Sequence, residues 1–143
     1  MNLRDQLIEF EGWKNDAYPD PLTGGAPWTI GVGHTGPEVF QGLHWGNELI
    51  SAQLDSDIAE KTAQVAAAIP WFARLNEPRK AVLIGMAFQM GINGLLGFKN
   101  TLAAMRDEHW ANAAEGMRQS KWGKQTPKRV NRLAHQIEVG EWA

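Results

Sequence analysis

Two carboxylic acids and one hydroxyl stand at intervals that suit acid–base chemistry. Glu11, Asp20 and Thr29 are each nine positions apart, in a stretch punctuated by glycine and proline. Two carboxyl groups that flank a groove can hydrolyse a glycosidic bond, because one protonates the leaving oxygen while the other helps to place a water. These residues therefore predict the hydrolysis of a sugar chain.

The geometry of the predicted first helix indicates which of its two glutamates, Glu9 or Glu11, lies on the apolar side. At about 100° per residue, Glu11 falls on the arc of Leu7 and Ile8, whereas Glu9 falls on the opposite side. A carboxyl group on an apolar face must be paired, protonated or functional, because burying it unpaired is costly. The alternative is that Glu11 sits at the helix end and simply reaches water.

A small antiparallel sheet is predicted from Ala17 to Thr35, where proline and glycine mark the turns. Residues 28–34 alternate, which predicts one strand with two unlike faces. One face carries Trp28, Ile30, Val32 and His34, and the other carries Thr29, Gly31 and Gly33. The second face is nearly bare, which indicates close approach by a ligand or another backbone, unless these are ordinary hairpin glycines.

The remaining chain is predicted to be helical. Residues 48–69 form an amphipathic helix long enough to bridge two lobes. Asn76 can cap a second helix whose segment 81–88 is apolar on all sides and therefore central to the core. Gln89 interrupts this segment and is either a satisfied core amide or a ligand contact.

The last helix has clear start and stop signals. Thr126 is a natural N-cap, Pro127 fits the first turn, and Gly140 follows the end. An apolar stripe is predicted at Val130, Leu133, Ala134 and Ile137. Arg129 lies outside that stripe, so it either reaches an acidic partner or remains an exposed arginine.

Composition narrows the function further. The chain has 143 residues, no cysteine and a formal net charge of −2. Residues 1–98 carry 6 basic and 11 acidic side chains, a net −5, whereas residues 99–143 carry 8 and 5, a net +3. The C-terminal basic cluster is either a face for a polyanion or a solvated surface, and no nucleic-acid motif accompanies it.

No cofactor, metal or membrane span is expected. The four histidines lack ligand spacing, and no apolar run approaches about 20 residues. Arg4, Asp5 and Glu9 interrupt any apolar run at the N-terminus, so no signal peptide is predicted.

Several ordered motifs give the chain a family resemblance over nearly its whole length. They are Glu11-Gly12, Tyr18, Asp20, Thr29-Ile30-Gly31-Val32-Gly33-His34, Ala87-Phe88-Gln89-Met90-Gly91, Gly97-Phe98, Asn100, Trp122, Gln125-Thr126-Pro127 and Arg129. In this register the chain resembles the phage lysozymes of glycoside hydrolase family 24, the T-even type above all. The segment 21–28 is a few residues longer than in that type, so contacts at this lip do not carry over.

The resemblance implies a role for each matching residue. Glu11 would be the general acid, with Asp20 and Thr29 holding the attacking water. The saccharide-binding residues would be Phe88, Gln89 and Trp122, while Arg129 would pair with Glu11. It also places an acid at Asp55, which we expect to pair with His34.

The resemblance also implies an architecture and a setting. We expect a mostly helical α+β, lysozyme-like fold in which an N-terminal lobe of residues 12–47 and a connecting helix 48–69 precede a C-terminal lobe. That C-terminal lobe would comprise residues 70–143 together with helix 1–11, and the site would lie in the cleft. A monomer acting on peptidoglycan glycan strands, made in a host cytoplasm and released through a holin or delivered in a virion, fits these features. The alternatives are a lytic transglycosylase, a chitin-directed enzyme or a non-catalytic wall-binding module.

Overall fold

The computed structural model describes all 143 residues and contains seven α-helices, one 3-10 helix and three short strands. The N-terminal elements are α1 (Leu3–Glu11), β1 (Lys14–Tyr18), β2 (Thr29–Gly31) and β3 (His34–Thr35), followed by α2 (Asn47–Ala68). The C-terminal elements are a 3-10 helix (Phe72–Arg74), α3 (Glu77–Leu96), α4 (Lys99–Arg106), α5 (Trp110–Gln119), α6 (Lys121–Gln125) and α7 (Pro127–Val139). The predicted α+β fold, mostly helical with a small antiparallel sheet, is confirmed.

The chain divides into two compact units. The sheet unit comprises Arg4–Glu60, and the helical unit comprises Met1–Leu3 with Lys61–Ala143. The sheet unit therefore includes α1 from Arg4 onward, and α2 begins in this unit and ends in the helical one.

The sheet has the order β1-β2-β3, and both pairings are antiparallel. Tyr18 pairs with Thr29, and Ile30 pairs with His34. The prediction of a single strand over residues 28–34 is wrong, because the chain reverses between Gly31 and His34. Gly31 and Gly33 have φ values of 67° and 64°, the left-handed region in which glycine avoids the steric penalty of a Cβ.

Of the face predicted to carry the large side chains, Ile30 and Val32 are buried, whereas Trp28 and His34 are half-buried. Ile30 is completely buried and Val32 is 3% exposed. Leu7 from α1 and Ile50 and Leu54 from α2 are also buried in the sheet unit. The alternation of buried side chains continues through the turn, because Val32 at its tip is buried like Ile30.

The helical unit is organised around α3. Asn76 caps this helix by accepting a hydrogen bond from the Arg79 backbone N–H, as predicted, and residues 81–87 are all buried. Gly91 adopts φ 77° and ψ 165°, which interrupts the helix immediately after Gln89 and Met90. The break gives the exposed Gln89 a position at the end of a rigid apolar segment.

The predicted stripe of α7 is confirmed, since Val130, Leu133, Ala134 and Ile137 are at most 1% exposed. Gly140 ends the helix in the left-handed conformation, also as predicted. Thr126, however, is not a side-chain N-cap, because its hydroxyl donates to the carbonyl of Trp122, 3.0 Å away. That bond joins the end of α6 to the start of α7.

Hydropathy gives no single helix the length and apolar character needed to cross a membrane. Only α3 and α4 taken together have the required length and apolar character, and these two helices are bent by 100° relative to each other.

Candidate active site

Glu11 lies at the end of α1 with its side chain against the hairpin turn. A Cβ built on Gly33 would stand 3.1 Å from the Glu11 Oε2 atom and 3.2 Å from its Cγ atom. The half-buried Glu11 side chain thus occupies the space that the missing Cβ leaves. Of the two bare positions predicted from sequence, Gly33 allows the close approach of this carboxylic acid, whereas a Cβ built on Gly31 would meet the core side chain of Ile50 at 3.3 Å.

Tyr18 connects Glu11 to Thr29. Burial raises the pKa of the Tyr18 phenol and the negative charge of Glu11 raises it further, whereas a hydrogen bond with the Thr29 side chain acts in the opposite sense. The pairing of Tyr18 with Thr29 across β1 and β2 brings the two side chains together. A carboxylic acid, a phenol and a hydroxyl therefore form one local cluster in the sheet unit.

Sequence reasoning noticed Tyr18 only as part of a family motif. Its alternation with Lys14 and Asp16 does not assign it to their exposed face, because the pairing register shifts between Lys14 and Tyr18, and no sequence signal pairs it with Thr29. That pairing depends on the register of β1 against β2, which the sequence does not specify.

Asp20 stands at the base of the loop that joins β1 and β2. Its backbone N–H donates to the Gly25 carbonyl at 2.9 Å, and its carbonyl accepts from the Gly24 N–H at 2.8 Å. Its carboxylate Oδ1 accepts from the Leu22 N–H at 2.7 Å, which is an Asx turn. Main-chain and side-chain bonds together fix the position of this carboxylate, while Oδ2 takes no part in the turn.

His34 is held between two acids, but not by the predicted one. Its Nδ1 atom lies 2.7 Å from Asp57 and its Nε2 atom lies 2.6 Å from Glu38. The expected partner, Asp55, instead forms an ion pair with Arg4 at 3.6 Å. Residues two positions apart on a helix are separated by about 200° around its axis, so Asp55 and Asp57 face different directions from α2.

The electrostatics of His34 reflect opposing effects. Burial lowers the pKa of His34, but the hydrogen bonds to Glu38 and Asp57 outweigh burial, and the net result is a raised pKa. The same bond to His34 lowers the pKa of the exposed Glu38. Because β3 carries His34 one residue after Gly33, this anchored imidazole ties the hairpin that abuts Glu11 to α2.

In the helical unit, two predicted residues meet at a surface groove. The Trp122 Nε1–H donates to the Gln89 Oε1 atom at 3.1 Å, and Phe98 packs edge-on against the Trp122 ring with centroids 5.7 Å apart. The groove has a volume of about 480 Å³, and Lys121 and Gln125 also line it. Trp122 is only 9% exposed, so its main contribution is to orient the Gln89 amide.

The other two predicted residues of this unit, Phe88 and Arg129, do not line that groove. Phe88 is half-buried and is not among the lining residues. Arg129 is half-buried in the first turn of α7, with its Nε and Nη2 atoms shielded from solvent. The structure therefore gathers Glu11, Tyr18 and Thr29 in the sheet unit, and Gln89 with Trp122 in the helical unit.

The small sheet with its acid–hydroxyl cluster, followed by a helical unit with an amide-lined groove, is the arrangement of a lysozyme-like α+β protein. A family model described as phage lysozyme matches residues 8–136. The chain therefore belongs to the phage lysozyme family, and the resemblance drawn from its motifs is confirmed.

Three relatives illustrate the range of this similarity. Probable T4-type lysozyme 1 of Dictyostelium discoideum is 32% identical, over 97% of this chain and 95% of the relative. Peptidoglycan hydrolase gp36 of Pseudomonas phage phiKMV is also 32% identical, over 91% of this chain but 14% of that protein. Pre-baseplate central spike protein Gp5 of Enterobacteria phage T4 is 28% identical, over 98% of this chain and 28% of that protein.

Proposed function

We propose that this chain is a muramidase that hydrolyses the β-1,4 bond between N-acetylmuramic acid and N-acetylglucosamine in bacterial peptidoglycan. Membership of the phage lysozyme family and the similarity to a peptidoglycan hydrolase support this substrate. The observation that carries the proposal is the cluster of Glu11, Tyr18 and Thr29 against the Gly33 turn. It supplies a proton donor from the end of α1 and a hydroxyl from β2 within the sheet unit.

In this mechanism Glu11 donates its proton to the glycosidic oxygen as the bond breaks. The groups that position the attacking water are the free Oδ2 atom of Asp20 and the Thr29 hydroxyl. Attack from the face opposite the leaving group gives inversion at the anomeric carbon. Inverting enzymes hold their carboxyl groups about 6.5–9.5 Å apart, which leaves room for that water.

Substrate binding in this proposal uses the groove of the helical unit. Gln89 is exposed, and the Trp122 indole fixes the direction of its amide, so it can bond a sugar N-acetyl or hydroxyl group. Phe88 adds apolar surface nearby along the chain. The pairing of Arg129 with Glu11 stays a prediction from the family resemblance.

The biological setting is part of the same proposal. A phage enzyme of this type would act as a monomer on the host wall, either after holin-dependent release from the cytoplasm or as part of a virion. Similarity to the peptidoglycan hydrolase gp36 of Pseudomonas phage phiKMV and to the pre-baseplate central spike protein Gp5 of Enterobacteria phage T4 supports a phage setting.

Digestion of purified peptidoglycan, followed by mass spectrometry of the muropeptides, tests the reaction. Reducing N-acetylmuramic acid ends that form as the α-anomer are expected for inverting hydrolysis. Products with 1,6-anhydro ends would mean a lytic transglycosylase, and an absence of products with retained wall binding would mean a binding module. A β-anomer as first product would refute the proposed roles of Asp20 and Thr29.

A matched pair of variants tests the acid. Glu11→Gln should reduce clearing of permeabilised Gram-negative cells by about 100- to 10,000-fold, the usual contribution of general acid catalysis. Glu9→Gln changes an exposed carboxylate of the same helix and should leave activity near the parent value. Equal activity in the two variants would exclude Glu11 as the proton donor.

A further inference from the structure

The helical unit contains a second concave site that the proposed hydrolysis does not use. It is a cavity of about 150 Å³ between the 3-10 helix, the start of α3 and the α4–α5 turn. Its lining, which we call the arginine pocket, includes Trp71, Arg74, Arg79, Arg106, Glu108 and Trp110. It shares no lining residue with the groove of Gln89 and Trp122.

The charges of the arginine pocket are not balanced by its walls. Three arginines line it together with a single acidic residue, Glu108. Arg106 is already engaged by Asp107, with bonds of 3.0 and 3.1 Å. Arg74 is exposed, and its guanidinium has no hydrogen bond or ion pair. One arginine of the three is therefore available to a ligand.

Arg79 forms a rigid cationic wall. Its Nε–H donates to the Ile137 carbonyl at 2.8 Å, and its Nη2 donates to the Glu138 carbonyl at 3.2 Å. Its Cζ atom lies 3.8 Å from the centre of the Trp110 ring. Burial lowers the pKa of Arg79 while the charge of Glu108 acts in the opposite sense, and an arginine remains charged under both influences.

The backbone at the pocket rim is unusual. Glu108 is the only non-glycine residue with positive φ, at 61°. Long side chains seldom adopt this conformation, and residues that do so are enriched at ligand sites. The conformation sets Glu108 at the α4–α5 turn, beside the arginines and not away from them.

We infer that the arginine pocket binds one oxyanion group, a carboxylate or a phosphate, carried on a short apolar stem. The planar guanidinium fork matches either oxyanion, and Arg74 can close over the group without losing an existing partner. The indole of Trp71 offers apolar surface for the stem. The cavity admits only a small group, which favours the end of a larger molecule or a small metabolite-sized anion.

The test is a titration of the intact protein at low salt with inorganic phosphate, N-acetylalanine and N-acetylalaninamide. The indole N–H signals of Trp71 and Trp110 in nitrogen–proton NMR spectra should shift and saturate with an oxyanion ligand and should not respond to the uncharged amide. Arg74→Gln should weaken binding by about tenfold or more, the loss expected for one charge-assisted hydrogen bond. Lys124→Gln removes another exposed cation of the same unit and should leave the affinity unchanged.

The outcomes separate the two sources of ligand. Saturation by phosphate alone assigns a phosphate site, and saturation by N-acetylalanine alone assigns a carboxylate site. The inference is overturned if no ligand saturates by about 10 mM, beyond the millimolar range of weak specific binding. It is also overturned if the amide binds equally, or if Arg74→Gln and Lys124→Gln behave alike. Because no arm measures hydrolysis, this result is independent of the proposed function.

Discussion

Replacement of His34 by asparagine should destabilise the protein in a pH-dependent way. The imidazole bonds Asp57 at 2.7 Å, with the two side chains only 14% and 13% exposed. Loss of a hydrogen bond to a charged group costs about 1.5–3 kcal/mol when it is buried. The bond to Glu38 involves an acid that is 54% exposed, so it adds little. For a chain of this size the melting temperature should fall by about 5–12 °C.

The pH dependence follows from the directions of the two pKa shifts. The pKa of His34 is raised above its ordinary 6.5, so its contribution is fully present below pH 6.5 and is lost as pH rises through the folded value. The pKa of Glu38 is lowered from 4.5, so its contribution is present above pH 4.5 and is lost as pH falls through the folded value. The gap between parent and His34→Asn should therefore be widest between pH 4.5 and 6.5.

Thermal unfolding followed by circular dichroism from pH 4 to 9 measures this gap. His44→Asn is a matched control, because His44 also bonds an acid, Asp16, at 2.7 Å, but both side chains are well exposed. That variant should change stability by less than about 1 kcal/mol. Equal effects of the two variants, or a gap for His34→Asn that does not shrink above pH 7, would refute the reasoning.

Three further changes test other contacts. Gly33→Ala should lower stability by about 1–2 kcal/mol, because residue 33 has a left-handed backbone conformation, and denaturant unfolding measures this loss. The same change should lower wall-clearing activity in a turbidity assay, because the new methyl group displaces the Glu11 side chain. Activity equal to that of the parent would contradict the packing of Glu11 against Gly33. Trp122→Phe removes the donor to Gln89 and should raise KM more than it lowers kcat on peptidoglycan; a change confined to kcat would argue against a binding role. Asn76→Ala should cost about 1 kcal/mol in urea unfolding through loss of the α3 cap, and an unchanged midpoint would contradict it.

The helical elements were predictable because their signals are local. The cap at Asn76, the buried segment 81–87 and the glycine end of α7 each depend on a few neighbouring residues. Thr126 misled because its hydroxyl had two possible partners within one turn, an N–H ahead of it and the Trp122 carbonyl behind it. Sequence preference alone does not choose between them.

The sheet and the site depend more on distant pairing. The alternation of large and small residues continues through the tight turn between Gly31 and His34. The pattern over residues 28–34 therefore does not distinguish one strand from a hairpin. The identity of the acid that pairs with His34 depends on how α2 is rotated about its axis. An error of two residues in the predicted contact is enough to exchange Asp57 for Asp55. The family motifs predicted Glu11 and Thr29 as site residues, and the pairing of Tyr18 with Thr29 required the strand register.

The loop between Asp20 and Trp28 has a consequence for how this protein could change through evolution or engineering. Its bonds close upon themselves: Asp20 bonds Gly24 and Gly25, and the Thr23 hydroxyl donates to the Ala26 carbonyl at 2.8 Å. The tip at Leu22 is 94% exposed. A self-closed loop can vary at its tip while its base stays fixed, since surface loops tolerate changes of length at small entropic cost. The side chain of residue 22 can therefore be exchanged without breaking any of these bonds, with the register of β1 and β2 left in place, whereas replacement of Thr23 would remove one of them.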